Sequence, residues 1–207
     1  MIEPFAHLVR IVCVMNDRNT LARFVLLPLL ALFALANIGA PQRYTLDASA
    51  SNVSAKVPFF GLASKTANFP KMQGAVTIVP GAPERAVIDV TFDATAIEAP
   101  DAVTLKRLRG EKFFWVEKYP AIRFVGRSLD LTSPTRGTVQ GELTARGVTR
   151  PATLDVTFAA DPVALAGKPV SFTGTTTIDR RQFGMKSYQL IVGNKVDITL
   201  RARMVPR

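Results

Sequence analysis

The chain is poor in the residues that perform most enzyme chemistry. It has one cysteine, Cys13, and one histidine, His7, and both precede the apolar run at residues 24–36. Everything after that run therefore lacks thiol and imidazole. No disulfide can form there, even in a compartment that permits one. A Ser-His-Asp or Cys-His arrangement is excluded, as are zinc and copper sites built on imidazole or thiolate. Carboxylate sites for Ca²⁺ or Mg²⁺ are not excluded by residue type. However, the acidic residues are dispersed, and no D-x-D-x-D-G loop, P-loop or GxGxxG sequence occurs. No metal is expected. Aromatic variety is also narrow. There are one Trp and three Tyr against 13 Phe, so most of the aromatic rings lack a polar handle.

What is present begins with a leader. Arg18 and Arg23 precede Phe24–Ala36, FVLLPLLALFALA, which ends in the A-x-A site Ala34-Leu35-Ala36. This order is that of a secretory signal peptide, so residues 1–36 are expected to be removed and the protein to be periplasmic. Cutting after Ala40 is the alternative site, though it leaves Ala40 followed by Pro41. The run is shorter than the ~20 apolar residues of a membrane span, and an uncleaved anchor is the rival. Residues 1–14 lengthen the basic region and contain Glu3, which points to Met15 as the true start.

From Tyr44 onward the dominant period is two. Val196, Ile198, Leu200, Ala202 and Met204 alternate with Asp197, Thr199, Arg201 and Arg203, as in an antiparallel strand with one buried face. The same alternation runs through 86–93, 122–125, 139–144, 152–158 and 172–178. Pro80-Gly81-Ala82-Pro83, Ser133–Gly137, Arg146-Gly147 and Ala166–Pro169 supply turns between them. Residues 37–207 thus read as one all-β domain, a sandwich or barrel. One segment departs from the pattern. Asp101–Glu111 spaces Val103, Leu105 and Leu108 as in a short helix, with Asp101 as its cap. Phe113, Phe114, Trp115 and Tyr119 follow at once. They form either a plug of the core or the wall of an apolar pocket.

The net charge is +10, with basic residues scattered and densest at Lys106, Arg107, Arg109 and Lys112. That suits a solvated basic surface, or transient contact with an anionic membrane surface or a pyrophosphate. No recognition-helix pattern or ribonucleoprotein motif accompanies it, so nucleic acid is not expected as a partner. An outer-membrane barrel is disfavoured by charged strand residues such as Arg201 and Arg203, and by the terminal Val205-Pro206-Arg207.

Several pieces, in one order and spacing, resemble a known family. They are Tyr44-Thr45-Leu46-Asp47 with Ser51, Asn68-Phe69 with Gly74, and Leu108, Phe113-Phe114, Tyr119-Pro120, Ile122 and Phe124. Gly141-Glu142-Leu143-Thr144, Arg146-Gly147-Val148-Thr149, Ile178-Asp179-Arg180, Phe183-Gly184 and Val196-Asp197-Ile198 complete the set. From about Tyr44 to Met204 the chain resembles the YceI-like family of periplasmic, polyisoprenoid-binding, lipocalin-like proteins. The resemblance implies an antiparallel β-barrel of about eight strands with one short helix around 101–111. It also implies an isoprenoid lipid or quinone as bound ligand, no other cofactor and no catalysis. The residues expected to meet the ligand are Phe69, Phe92, Phe113, Phe114, Trp115, Phe124, Leu143, Phe158, Phe172 and Phe183, with Arg181 at the polar mouth. Arg180 and Arg181 both stand in the break after Asp179, where each either pairs with a carboxylate such as Asp179 or meets the head group. Four positions depart from the family pattern. Ala50 and Arg107 stand where it has histidine, and Lys112 and Trp115 where it often has Asp. Two of these changes add positive charge, which implies a more acidic ligand head group. The rival readings are a stress-related or interaction protein using a filled barrel as scaffold, and an enzyme working through Asp, Glu, Tyr or Arg alone. Residue pattern leaves open whether the protein is a monomer or a homodimer.

Overall fold

The computed structural model describes residues 39–207 except Ala166. The expected signal peptide, the Met15 start, His7 and Cys13 lie outside the described residues. Ten strands form: β1 Gln42–Leu46, β2 Asn52–Phe59, β3 Ala63–Phe69, β4 Met72–Ile78, β5 Val87–Asp93, β6 Ala121–Ser133, β7 Arg136–Ala145, β8 Val148–Phe158, β9 Val170–Asp179 and β10 Lys195–Pro206. Among the described residues one α-helix, α1, spans Ala102–Arg109. Eight of the strands pair in the order β1-β4-β5-β6-β7-β8-β9-β10, and β1 pairs back onto β10 to close the ring. The result is an antiparallel, lipocalin-like barrel with no free edge around its closed girth.

The other two strands form a hairpin that lengthens the wall. The β10 strand pairs with β1 through Met204–Pro206 and with β2 through Asp197–Arg201. Between β1 and β2 the chain bends through a 3₁₀ turn. The Asp47 carboxylate accepts from Ser49 N–H at 3.1 Å and from its hydroxyl at 2.6 Å. At the break, Ser51 Oγ accepts from Arg203 N–H at 3.2 Å, while Asp47 N–H donates to Arg203 O at 2.9 Å. Side chain and backbone together thus satisfy the peptide groups that a continuous strand would pair. The β3–β4 break falls at Pro70, which has no N–H to give to a ladder. Beyond an isolated bridge from Asn68 to Glu98, the outer edge of β3 carries no ladder partner among the described residues. The segment ending in α1 stands on that side.

Register explains which face is inside. The Phe124–Leu143 and Gly126–Gly141 pairs face one another across β6 and β7, so their side chains point the same way. A Cβ on Gly141 would lie 2.4 Å from Val125 O and 2.9 Å from the Phe124 ring. The missing side chain lets that ring lie across the wall. The outward positions carry polar pairs instead, such as Arg123 with Asp89 at 2.5 Å and Thr153 with Gln140 at 2.8 Å. At one end Tyr44, Ile78, Leu129, Val139 and Met204 are fully buried and form a floor. At the other end lie α1, the β2–β3 hairpin tip and the segment 184–194.

The α1 helix starts where Asp101 accepts from Thr104 N–H at 2.8 Å, satisfying one of the free N-terminal amides. Lys65 donates to the other oxygen of that carboxylate at 2.8 Å, tying the helix to β3. The Arg109 guanidinium donates to Thr95 O at the other end of the helix.

Candidate functional site

A cavity of about 480 Å³ occupies the barrel interior, within the ~300–1,000 Å³ range of small-molecule sites. Its wall is almost entirely aliphatic and phenyl. Phe124, Leu154, Phe172, Ile178 and Ile198 point inward and line it, yet none is fully buried. Their residual accessibility is what an interior space, rather than a filled core, produces.

Eight of the eleven residues named from sequence meet at this wall: Phe69, Phe92, Phe113, Phe114, Phe124, Leu143, Phe158 and Phe172. Three stand elsewhere. Trp115 has φ 49° and turns away from Phe113 and Phe114. Its ring packs edge-on against Tyr119 at 5.9 Å, with Lys118 Nζ 4.4 Å from its centre. Phe183 is 1% exposed and belongs to the core cluster, at the end of the 3₁₀ turn Arg180–Phe183. Arg181 is exposed and clasps the Asp179 carboxylate, with contacts at 2.6 and 3.0 Å.

Of the two neighbouring arginines, Arg180 and Arg181, the one that lines the cavity is Arg180. It is 3% exposed, and burial pulls its pKa below the ordinary arginine value. Its guanidinium donates to Gly193 O at 2.9 Å, Met185 O at 2.5 Å, Ser187 O at 2.8 Å and Val192 O at 2.9 Å. Its Cζ lies 5.9 Å from the centre of the Phe113 ring. One side chain thus pins the whole 185–193 segment over the mouth and leaves a cation at the apolar wall. The sequence carries a signal for it. Gly174, Thr176 and Ile178 follow the inward alternation of β9, and two residues further is Arg180, not Arg181.

Three other charged groups line the cavity: Lys65, Asp101 and Arg107. The Asp101 carboxyl is held well below the usual carboxylate range by the Lys65 hydrogen bond and the helix-capping bonds from Thr104. Arg107 stands 5.5 Å from the Tyr188 ring centre and Lys112 5.4 Å from it. Tyr188 in turn stacks on Phe113 at 6.0 Å. Two of the positions that depart from the family pattern, 107 and 112, therefore sit together at the mouth. Arg146 and Gly147 form the β7–β8 turn, both at positive φ, as a two-residue hairpin requires. Arg146 donates to Gly184 O at 2.5 Å and Glu111 O at 2.8 Å, steadying the loops beside the mouth.

The Asp179 carboxyl is lowered to about 2, chiefly by the Arg181 guanidinium and also by the Arg181 backbone N–H. A carboxylate depressed in the folded state contributes stability that is complete above the unfolded value of about 4 and fades as pH falls through about 2. Thermal unfolding followed across that window should show a steeper loss in the wild type than in Asp179→Asn. Parallel curves would remove the pair from the acid response.

A closed antiparallel barrel around an apolar cavity with a basic mouth defines a ligand-binding barrel of the lipocalin-like class. Residues 44–204 match the YceI-like domain, and the chain belongs to that family. Among curated relatives, a UPF0312 protein of Pseudomonas putida (strain GB-1) is 30% identical over 134 residues, covering 63% of this chain and 69% of that protein. The structure of Burkholderia cenocepacia BcnA superposes with a TM-score of 0.68 at 23% identity, covering 76% of this chain and 98% of that one. A polyisoprenoid-binding domain from Saccharophagus degradans, implicated in plant cell wall breakdown, superposes at 0.59 with 14% identity. It covers 79% of this chain and 98% of its own.

Proposed function

We propose that the protein carries or sequesters a long isoprenoid, a polyprenyl or quinone-type lipid, in the periplasm and makes or breaks no bond in it. The observation that carries this is the 480 Å³ cavity, walled by phenyl and aliphatic groups and bounded by a plugged floor. Transfer of apolar chain out of water stabilises by about 0.8 kcal/mol per CH₂, so such a wall binds a branched hydrocarbon tail without specific polar contacts. The likeness in fold to a domain described as polyisoprenoid-binding supports the same ligand class. Among the described residues nothing in the wall resembles an acid/base pair. Its carboxylate, Asp101, is engaged by Lys65 and by the helix cap.

The head group meets Arg107, Lys112 and Arg180, and we expect it to be acidic. Titration with isoprenoid phosphates of increasing length should lower Kd by at least about tenfold per added isoprene unit until the cavity is full, then plateau. A neutral quinone of equal tail length should bind more weakly than the phosphate. Equal affinity would remove the head-group preference, and no dependence on length would remove the cavity as the binding site.

A further inference from the structure

Three large apolar side chains stand in solvent beside the mouth and take no part in lining the cavity. Leu62 and Leu190 are each 100% exposed and Phe60 is 64% exposed. Phe60 and Leu62 form the β2–β3 tip, and Leu190 the turn Tyr188–Ile191. The two loops are joined, because Phe60 N–H donates to Ile191 O at 2.8 Å and Phe59 bridges to Val192. These side chains therefore project from one joined pair of loops. Exposed apolar groups gathered at one place on a water-soluble surface mark a contact site.

We propose that this tip docks the barrel mouth-first onto an anionic lipid surface. The charges beside the apolar tip favour that partner. Of the four charged groups lining the cavity and its mouth, Lys65, Arg107 and Arg180 are cations. Among the described residues the lining carboxylate is Asp101, which pairs with Lys65 at 2.8 Å and leaves Arg107 and Arg180 as the net positive charge. Lys112 adds a further cation over Tyr188. Apolar side chains projecting beyond a basic collar are the pattern of an interfacial anchor, in which the tip enters the acyl boundary and the collar meets anionic head groups. A second copy of the chain suits the tip poorly. A two-fold contact brings each collar against its like-charged equivalent. Resting on the proposed isoprenoid cargo, the docking also gives the ligand a path between bilayer and cavity that need not cross water.

The test uses ligand-free protein, so its outcome does not depend on the cargo. Flotation with vesicles of phosphatidylglycerol and phosphatidylcholine in equal parts should recover bound protein. Vesicles of phosphatidylcholine alone should recover much less, and salt should weaken the binding. In Leu62→Ser/Leu190→Ser the vesicle partition coefficient should fall by at least about tenfold. Both sites are fully exposed, so the variant loses no core contact, and its affinity for detergent-solubilised isoprenoid phosphate should be unchanged. Wild type and variant share the same N-terminus, so their difference isolates the tip. Equal vesicle binding by the two proteins, or equal binding to both vesicle types, would overturn the proposal. So would a wild-type dimer in sedimentation that the double variant dissolves, because the tip would then be a self-contact.

Discussion

The double substitution Ala55→Phe/Ala152→Phe is expected to abolish ligand uptake while leaving the barrel folded. Both alanines line the cavity and are only half-buried, so each new ring has interior space to enter. In a filled core, added rings would force neighbours off their rotamers at a cost of about 1–3 kcal/mol. Here they occupy volume that a ligand tail would otherwise take. Displacing one isoprene unit forfeits up to about 4 kcal/mol of transfer free energy, so Kd should rise by at least about tenfold per unit displaced. The urea midpoint should hold or rise, because filling a cavity restores packing contacts. Titration of wild type and variant with the same isoprenoid phosphate checks the first part, and denaturation checks the second. A variant that unfolds easily and binds normally would contradict both.

Arg180→Met should be the most destabilising single change near the mouth. It removes one buried guanidinium and strands the four carbonyls that it serves, those of Met185, Ser187, Val192 and Gly193. Hydrogen bonds to a charged donor contribute about 1.5–3 kcal/mol each, and stranded acceptors recover part of that from water. A net loss of about 3 kcal/mol or more is expected in denaturant unfolding. Amide exchange should rise across Met185–Gly193, with the floor strands unaffected. Arg181→Met is the control. Among the described residues that side chain pairs with Asp179 and is 46% exposed, so its loss, one ion pair against four carbonyl bonds, should be smaller. Comparable losses for the two variants would mean that Arg180 does not organise the segment.

The neighbouring arginines also mark how far sequence carries. Alternation places the inward faces of β5 through β10, and the helix at 102–109 with its Asp101 cap is local chemistry. The Arg146-Gly147 turn is equally legible, since its backbone demands positive φ. The bends that split β1 from β2 and β3 from β4 are less so. They depend on β10 being long enough to hold two partners, which is a property of distant pairing and not of either segment. Arg180 and Arg181 stand side by side in the polar break after Asp179, and only the inward phase of β9 running through that turn separates the cavity-lining Arg180 from Arg181. Trp115 looks like the third member of an aromatic wall, but a left-handed backbone at that residue turns it outward. The exposure of Leu62 and Leu190 has no local signature, because an apolar residue in a loop looks the same whether it is covered or bare.

Native mass spectrometry of the protein purified from its own host, followed by organic extraction, asks whether the cavity holds an isoprenoid. The structure predicts one apolar ligand per chain, with a mass that fits an isoprenoid series and an acidic head group. A clean apo mass, with no uptake when isoprenoid phosphates or quinones are added, would contradict it.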